Sequence, residues 1–181
     1  MAHPKHTAII IIDLINDFKF KHGQQLFKQT ENILPNILHL KSYAKKHNHP
    51  IIYVNDHYKL WQADLKRIYL KCRNNQNQHM LDQIMPNESE EEYFLIKPKH
   101  SAFHQTALQA LLSELHVHHL ILTGIAGNIC VLFSANDAYM REYDISVPSD
   151  GIASNDPKDN EYALTMMKNV LGANITPIRE F

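Results

Sequence analysis

The sequence predicts a three-layer α/β/α sandwich on a mostly parallel, five- or six-stranded sheet of Rossmann-like outline. Three observations predict it. Short β-branched runs recur along the chain, stretches of helical spacing separate them, and the runs are continuous rather than alternating, as suits strands buried on both faces.

The first run is TAIIII at residues 7–12, followed by PIIYVN at 50–55, YFLI at 93–96, HLILT at 119–123 and a weaker one at 144–147. Between the first two, Ile37, Leu38, Lys41 and Ala44 share a helical face, and Pro35 suits that helix's first turn. Leu65, Ile68 and Tyr69 mark a second helix, and residues 106–115, 128–141 and 158–170 fit three more. Only residues 74–92 break the rhythm. They are polar, include NNQNQH, and end in an acidic run at 90–92 that reads as a solvated approach to the next strand. Met80, Leu81, Ile84 and Met85 predict a short helix inside that stretch.

One domain spanning residues 1–181 is expected, since a chain of this length can bury most of its apolar surface. Hydrophobic residues at 44% and charged residues at 20% exclude a disordered chain and a disulfide scaffold. A formal net charge of -1 gives no electrostatic reason for a nucleic-acid or anionic-membrane partner. The apolar run at 8–12 meets Asp13 too soon for a secretion signal or a membrane span, so a cytoplasmic, reducing compartment is expected, with Cys72 and Cys130 as free thiols.

In open α/β sheets, ligands bind beyond the carboxyl ends of the strands, so the polar residues following each run are the ones to inspect. Asp13 follows the first run, Lys97 the third, and Cys130 lies just beyond the fourth, in LILTGIAGNICVLF. Gly124, Gly127 and Asn128 mark a turn that would set Cys130 in the first turn of a helix, where unpaired amides and the helix dipole favour a thiolate. A nearby Lys97 ammonium would push the thiol the same way, and the same turn could aim two amides at a developing oxyanion. Cys130 is equally readable as a small buried hydrophobe, and Asp13 as a cap or turn residue. Asp17 and Lys99 compete with Asp13 and Lys97 for the same parts.

The segments IIIIDLINDF, IKPKHSAF and GIAGNICVLFSANDAYMREY resemble, in order, the three signature blocks of the isochorismatase-like cysteine hydrolases, which include nicotinamidases and carbamoylsarcosine amidases. The resemblance implies Asp13 as general acid and base, Lys97 as the lysine ahead of the SAF segment, and Cys130 as nucleophile, with Lys99 at the rim. It implies a cis peptide between Ile125 and Ala126, and an oxyanion hole made by the amides of Ala126 and Cys130. The reaction implied is attack by the Cys130 thiolate on an amide or ureido carbonyl of a small molecule. An amine protonated by Asp13 then departs, and water activated at Asp13 hydrolyses the thioester. No cofactor is implied, and a homodimer or homotetramer is.

Nicotinamidases of that family hold a metal with an aspartate and a histidine two residues apart near the second strand. Here Asp56 and His57 are adjacent, in VNDHYKLWQADL, so no metal is expected and nicotinamidase is the runner-up, with true isochorismatase activity behind it. Phe18, Trp61 and Ile125 are candidates for the substrate pocket. His116, His118 and His119 open a strand at the end away from the expected site, where a solvated rim is expected, and Cys72 reads as structural. The same residues also admit a redox-sensing or ligand-binding protein that uses Cys130 without turnover, or a metal-dependent hydrolase centred on Asp56 and His57.

Overall fold

In the computed structural model, which describes residues 6–87 and 92–181, six strands form one parallel sheet. The elements run β1 (His6–Ile12), α1 (Gly23–Lys46), β2 (Ile51–Asp56), α2 (Leu65–Cys72), α3 (Gln78–Ile84), β3 (Glu92–Lys97), α4 (Leu108–Glu114) and β4 (Val117–Ile125). A π-helical turn at Gly127–Val131 leads into α5 (Leu132–Tyr139), then β5 (Asp144–Ser146), β6 (Ile152–Ala153) and α6 (Pro157–Leu171). Strand order is β3-β2-β1-β4-β5, with β6 pairing the far end of β4. Among the described residues, no helix is long and apolar enough to cross a membrane.

The continuous apolar runs are accounted for by burial on both faces. In β1, Ala8, Ile10 and Ile12 pack with α4, α5 and α6, while Ile9 and Ile11 pack with α1, α2 and α3. Each fully buried isoleucine removes enough surface from water to contribute roughly 1.5–3 kcal/mol. A strand of this composition holds the centre of the sheet. Its partner β4 approaches most closely where Ile12 faces Gly124, whose φ is +115° and whose place no other residue fits, because a Cβ would lie 2.8 Å from the Ile12 nitrogen.

Three local expectations are corrected. The first helix begins at Gly23 and carries Pro35 in its interior rather than in its first turn. Leu26, Phe27, Ile33, Ile37 and Leu40 form one buried stripe through the proline, and that burial outweighs the lost hydrogen bond. The helix predicted over 128–141 opens as a π-helical turn. The six strands fall within the five or six expected, the sixth being only two residues long. Of the acidic run, residues 90 and 91 lie outside the described residues, but the Glu92 side chain is only 2% exposed rather than solvated: its carboxylate accepts from Lys41 Nζ at 3.1 Å, Asn87 N at 2.9 Å and Tyr53 OH at 3.4 Å.

The chain leaves β1 outward to β2 and β3, then returns to place β4 on the other side of β1. The order therefore reverses between β1 and β4, and the crevice outside their carboxyl ends is where such sheets bind ligands. His116 and His118, at the opposite end, are exposed, while His119 is half-buried and bridges strands, with Thr7 Oγ1 at 3.1 Å and Ser146 Oγ at 2.8 Å.

Candidate active site

Asp13 ends β1 with a left-handed backbone, φ +53°, a conformation that aspartate tolerates better than most residues. Its Oδ1 accepts the Asp56 N–H at 2.8 Å, and its Oδ2 meets Lys97 Nζ at 2.8 Å. Lys97 ends β3, two strands away from β1, a distance of about 9–10 Å at ordinary strand spacing. Only a long side chain spans that gap, and the lysine crosses the end of β2 to do so. The ammonium also donates to the Lys99 carbonyl at 3.1 Å and lies 3.6 Å from Cys130 Sγ. Cys130 Sγ joins the cluster through Lys97, and the Asp13 charge acts on it electrostatically.

The surrounding chain is fixed by side chains outside the cluster. Asn55, buried at the end of β2, accepts from Ile15 N at 3.2 Å and donates to Ile15 O at 2.8 Å, clamping the loop that follows Asp13. Ser134 Oγ donates to the Cys130 carbonyl at 2.7 Å and accepts from Ala102 N at 2.9 Å, which ties the SAF segment to the turn that carries Cys130. The peptide bond Ile125–Ala126 is cis. Gly127 then packs so closely under α6 that a Cβ would collide with Asn160 Oδ1. The Ser154 hydroxyl, held by Asn160 at 2.8 Å, accepts from Asn128 N at 3.1 Å.

Burial sets the electrostatics. Asp13 and Lys97 are 6% and 3% exposed. Desolvation raises the Asp13 carboxyl above the ordinary aspartate value, against the opposing pull of Lys97. Burial would lower Lys97, but the Asp13 and Cys130 charges beside it outweigh that and hold the ammonium above its ordinary value. The Cys130 thiol is pushed up, first by burial and then by the Asp13 carboxylate, with Lys97 only partly compensating. This reverses the expectation from helix dipole and lysine alone. Burial and the Asp13 charge thus both favour the protonated thiol, and Lys97 opposes them.

These groups open into a cavity of about 510 Å³ lined by Asp13, Asn16, Phe20, Asp56, Tyr58, Lys97, Pro98, Lys99, His100 and Cys130. Of the expected pocket residues, none lines it. Phe18 is buried edge-on against Phe27, Ile125 is fully buried at the end of β4, and Trp61 is 82% exposed against His57 in a separate cleft. The physical reason is register: the loop after β1 turns Phe20 rather than Phe18 outward, and the loop after β2 carries Trp61 past the rim. Asp56 faces the cavity and His57 the neighbouring cleft. Among the described residues, no group of three or more His, Cys, Asp or Glu side chains is placed to hold a metal ion. Asp17 accepts from Lys19 N in a surface turn, and Cys72 is fully buried, its thiol pushed up to about 12 chiefly by desolvation.

An isochorismatase domain model matches residues 7–179. The chain belongs to the isochorismatase family. It is 59% identical over 169 residues to an uncharacterized isochorismatase family protein, YaaI, of Bacillus subtilis (strain 168), covering 93% of this chain and 92% of that one. A solved nicotinamidase from Staphylococcus aureus superposes with a TM-score of 0.72 at 27% identity, covering 94% of this chain and 98% of that one. The N-carbamoylsarcosine amidase of Thermoplasma acidophilum shares the fold with a TM-score of 0.73 at 24% identity, covering 97% and 98%. This isochorismatase-family chain is thus a hydrolase-family member with amidases among its structural neighbours.

His100, Asn16, Tyr58 and Phe20 are cavity residues that sequence reasoning passed over. Asn16, Tyr58 and His100 stand within four residues of a strand's carboxyl end, and Asn16 and His100 lie inside two of the quoted signature blocks, whereas Phe20 is eight residues beyond β1 and gave no signal.

Proposed function

We propose that this protein is a cysteine hydrolase that cleaves the C–N bond of a small-molecule amide or ureido group through a thioester. The observation that carries the reading is the convergence of a thiol, a carboxylate and an ammonium in one cavity large enough for a small molecule. A thiol that burial holds toward its protonated form needs a base beside it, and Asp13, joined to the same Lys97 ammonium, is that base. Asp13 takes the thiol proton as sulfur bonds to the carbonyl carbon, and the amides of Ala126 and Cys130 receive the oxyanion. When the tetrahedral intermediate collapses, the C–N bond breaks and the same proton passes to the departing amine or ammonia. Water then cleaves the thioester, and the sulfur recovers a proton. Lys97 keeps the carboxylate charged and aimed. No step calls on a cofactor.

The named activities of the structural neighbours, nicotinamidase and carbamoylsarcosine amidase, support carbon–nitrogen cleavage as the reaction class. The test is intact-protein mass spectrometry of wild type and Cys130→Ala with a panel of small amides, nicotinamide and ureido compounds, alongside ammonia release. A substrate-sized adduct and ammonia release, both absent from Cys130→Ala and both insensitive to chelators, are expected. Turnover that survives Cys130→Ala, or a wild type whose only Cys130 modification is oxidation, refutes the proposal.

A further inference from the structure

The Cys130 sulfur has a further ionisable neighbour besides Asp13 and Lys97. His100 Nδ1 lies 3.8 Å from Sγ, and the imidazole is exposed on the open side of the cavity, whereas Asp13 and Lys97 approach from the buried side. Water entering from solvent meets the imidazole first. The ring is steadied by Phe133, whose centroid is 5.5 Å away at 58°, and its segment is anchored by the bond from Lys97 Nζ to the Lys99 carbonyl.

We infer that His100 is a catalytic residue of the second half-reaction, the base that activates water against the Cys130 thioester. The inference rests on the thioester reading above. As the water oxygen bonds to the thioester carbonyl carbon, the Nδ1 lone pair takes one of its protons. When the C–S bond breaks, its electron pair goes to sulfur, and the proton moves from Nδ1 to Sγ. The acid product leaves, and neutral imidazole and thiol are restored. The division of labour follows the geometry: the buried carboxylate serves attack by sulfur, and the exposed imidazole serves attack by water.

The experiment uses p-nitrophenyl acetate as acyl donor to wild type, Cys130→Ala and His100→Ala. The burst of p-nitrophenolate reports acylation. After rapid desalting, loss of the acetyl mass from intact protein reports deacylation directly. For His100→Ala we expect a burst within about twofold of wild type and acetyl loss slowed about 10²-fold, the lower end of what a positioned base supplies. Added imidazole should restore acetyl loss, which a merely structural role would not permit. Acetyl loss at the wild-type rate, or a burst that slows in parallel with it, overturns the assignment of His100. A wild type with no Cys130-dependent burst overturns the thioester reading, and the role of His100 falls with it. Because His100 is exposed, thermal melting of the variant should match wild type.

Discussion

Replacing Lys97 by methionine isolates the energetics of the cluster, because the volume is nearly kept and only the charge and its hydrogen bonds go. The ammonium is 3% exposed, meets Asp13 Oδ2 at 2.8 Å and donates to the Lys99 carbonyl. Its loss leaves the Asp13 carboxylate buried with the Asp56 amide as its remaining hydrogen-bond donor. Breaking one side of a buried ion pair costs about 3–5 kcal/mol, and that is the expected loss of unfolding free energy at pH 8. The sign with pH is determined by Asp13. Its carboxyl is already raised by burial, and without Lys97 it rises further. A carboxyl raised in the folded state loses stability as pH climbs from its unfolded value through the folded one, by up to about 1.4 kcal/mol per pH unit. The deficit of Lys97→Met should therefore shrink on acidification, as Asp13 takes up a proton instead of holding an unpaired charge. Urea unfolding followed by circular dichroism at pH 5, 6.5 and 8 measures this. Arg141→Met is the control, since its 2.8 Å pair with Asp137 is about one-third exposed and should cost about 1 kcal/mol or less. A Lys97→Met protein within about 1 kcal/mol of wild type at pH 8, or a deficit that does not change with pH, would refute the reasoning.

Two further outcomes follow from the same structure. Asp13→Asn removes the charge that helps hold the Cys130 thiol up while leaving Lys97, which pulls it down, so iodoacetamide should alkylate Cys130 faster in the variant than in wild type even as hydrolysis is lost; slower alkylation contradicts the assigned electrostatics, and Cys72 should stay unmodified in both proteins, being fully buried. Gly124→Ala drives a Cβ against the Ile12 backbone at a φ of +115°, and thermal unfolding should show a loss of more than about 3 kcal/mol, with an unchanged melting temperature counting against the close approach of β1 and β4.

The sheet was legible because continuous burial on both faces writes itself as unbroken runs such as residues 7–12, and the candidate cluster was legible because Asp13, Lys97 and Cys130 each stand at the end of such a run. What escaped was set by distant packing. Pro35 reads locally as a helix start, yet the stripe from Leu26 to Leu40 needs the core on its far side to carry the helix through the proline. Glu92 reads as part of a charged surface run until α1 brings Lys41 to it. Phe18 and Phe20 are two residues apart and chemically identical, so only the turn between them decides which lies in the core and which faces the cavity.

The thiol shows why magnitudes must decide between effects that each have the right sign. A helix start and a neighbouring lysine both favour a thiolate, but the dipole contributes about 0.3–1 kcal/mol at exposed positions, and Lys97 is shared with a carboxylate at 2.8 Å. Desolvation of the sulfur comes first and the adjacent Asp13 second, and both push the Cys130 thiol up, toward the protonated form. A desolvated, protonated thiol reacts slowly with oxidants, because the thiolate is the reactive species. The proposed hydrolase therefore predicts slow oxidation of Cys130 by peroxide in the resting protein, with the thiol activated only as a bound substrate offers its carbonyl, whereas a redox sensor requires rapid oxidation; the rate of Cys130 oxidation under dilute peroxide separates the two.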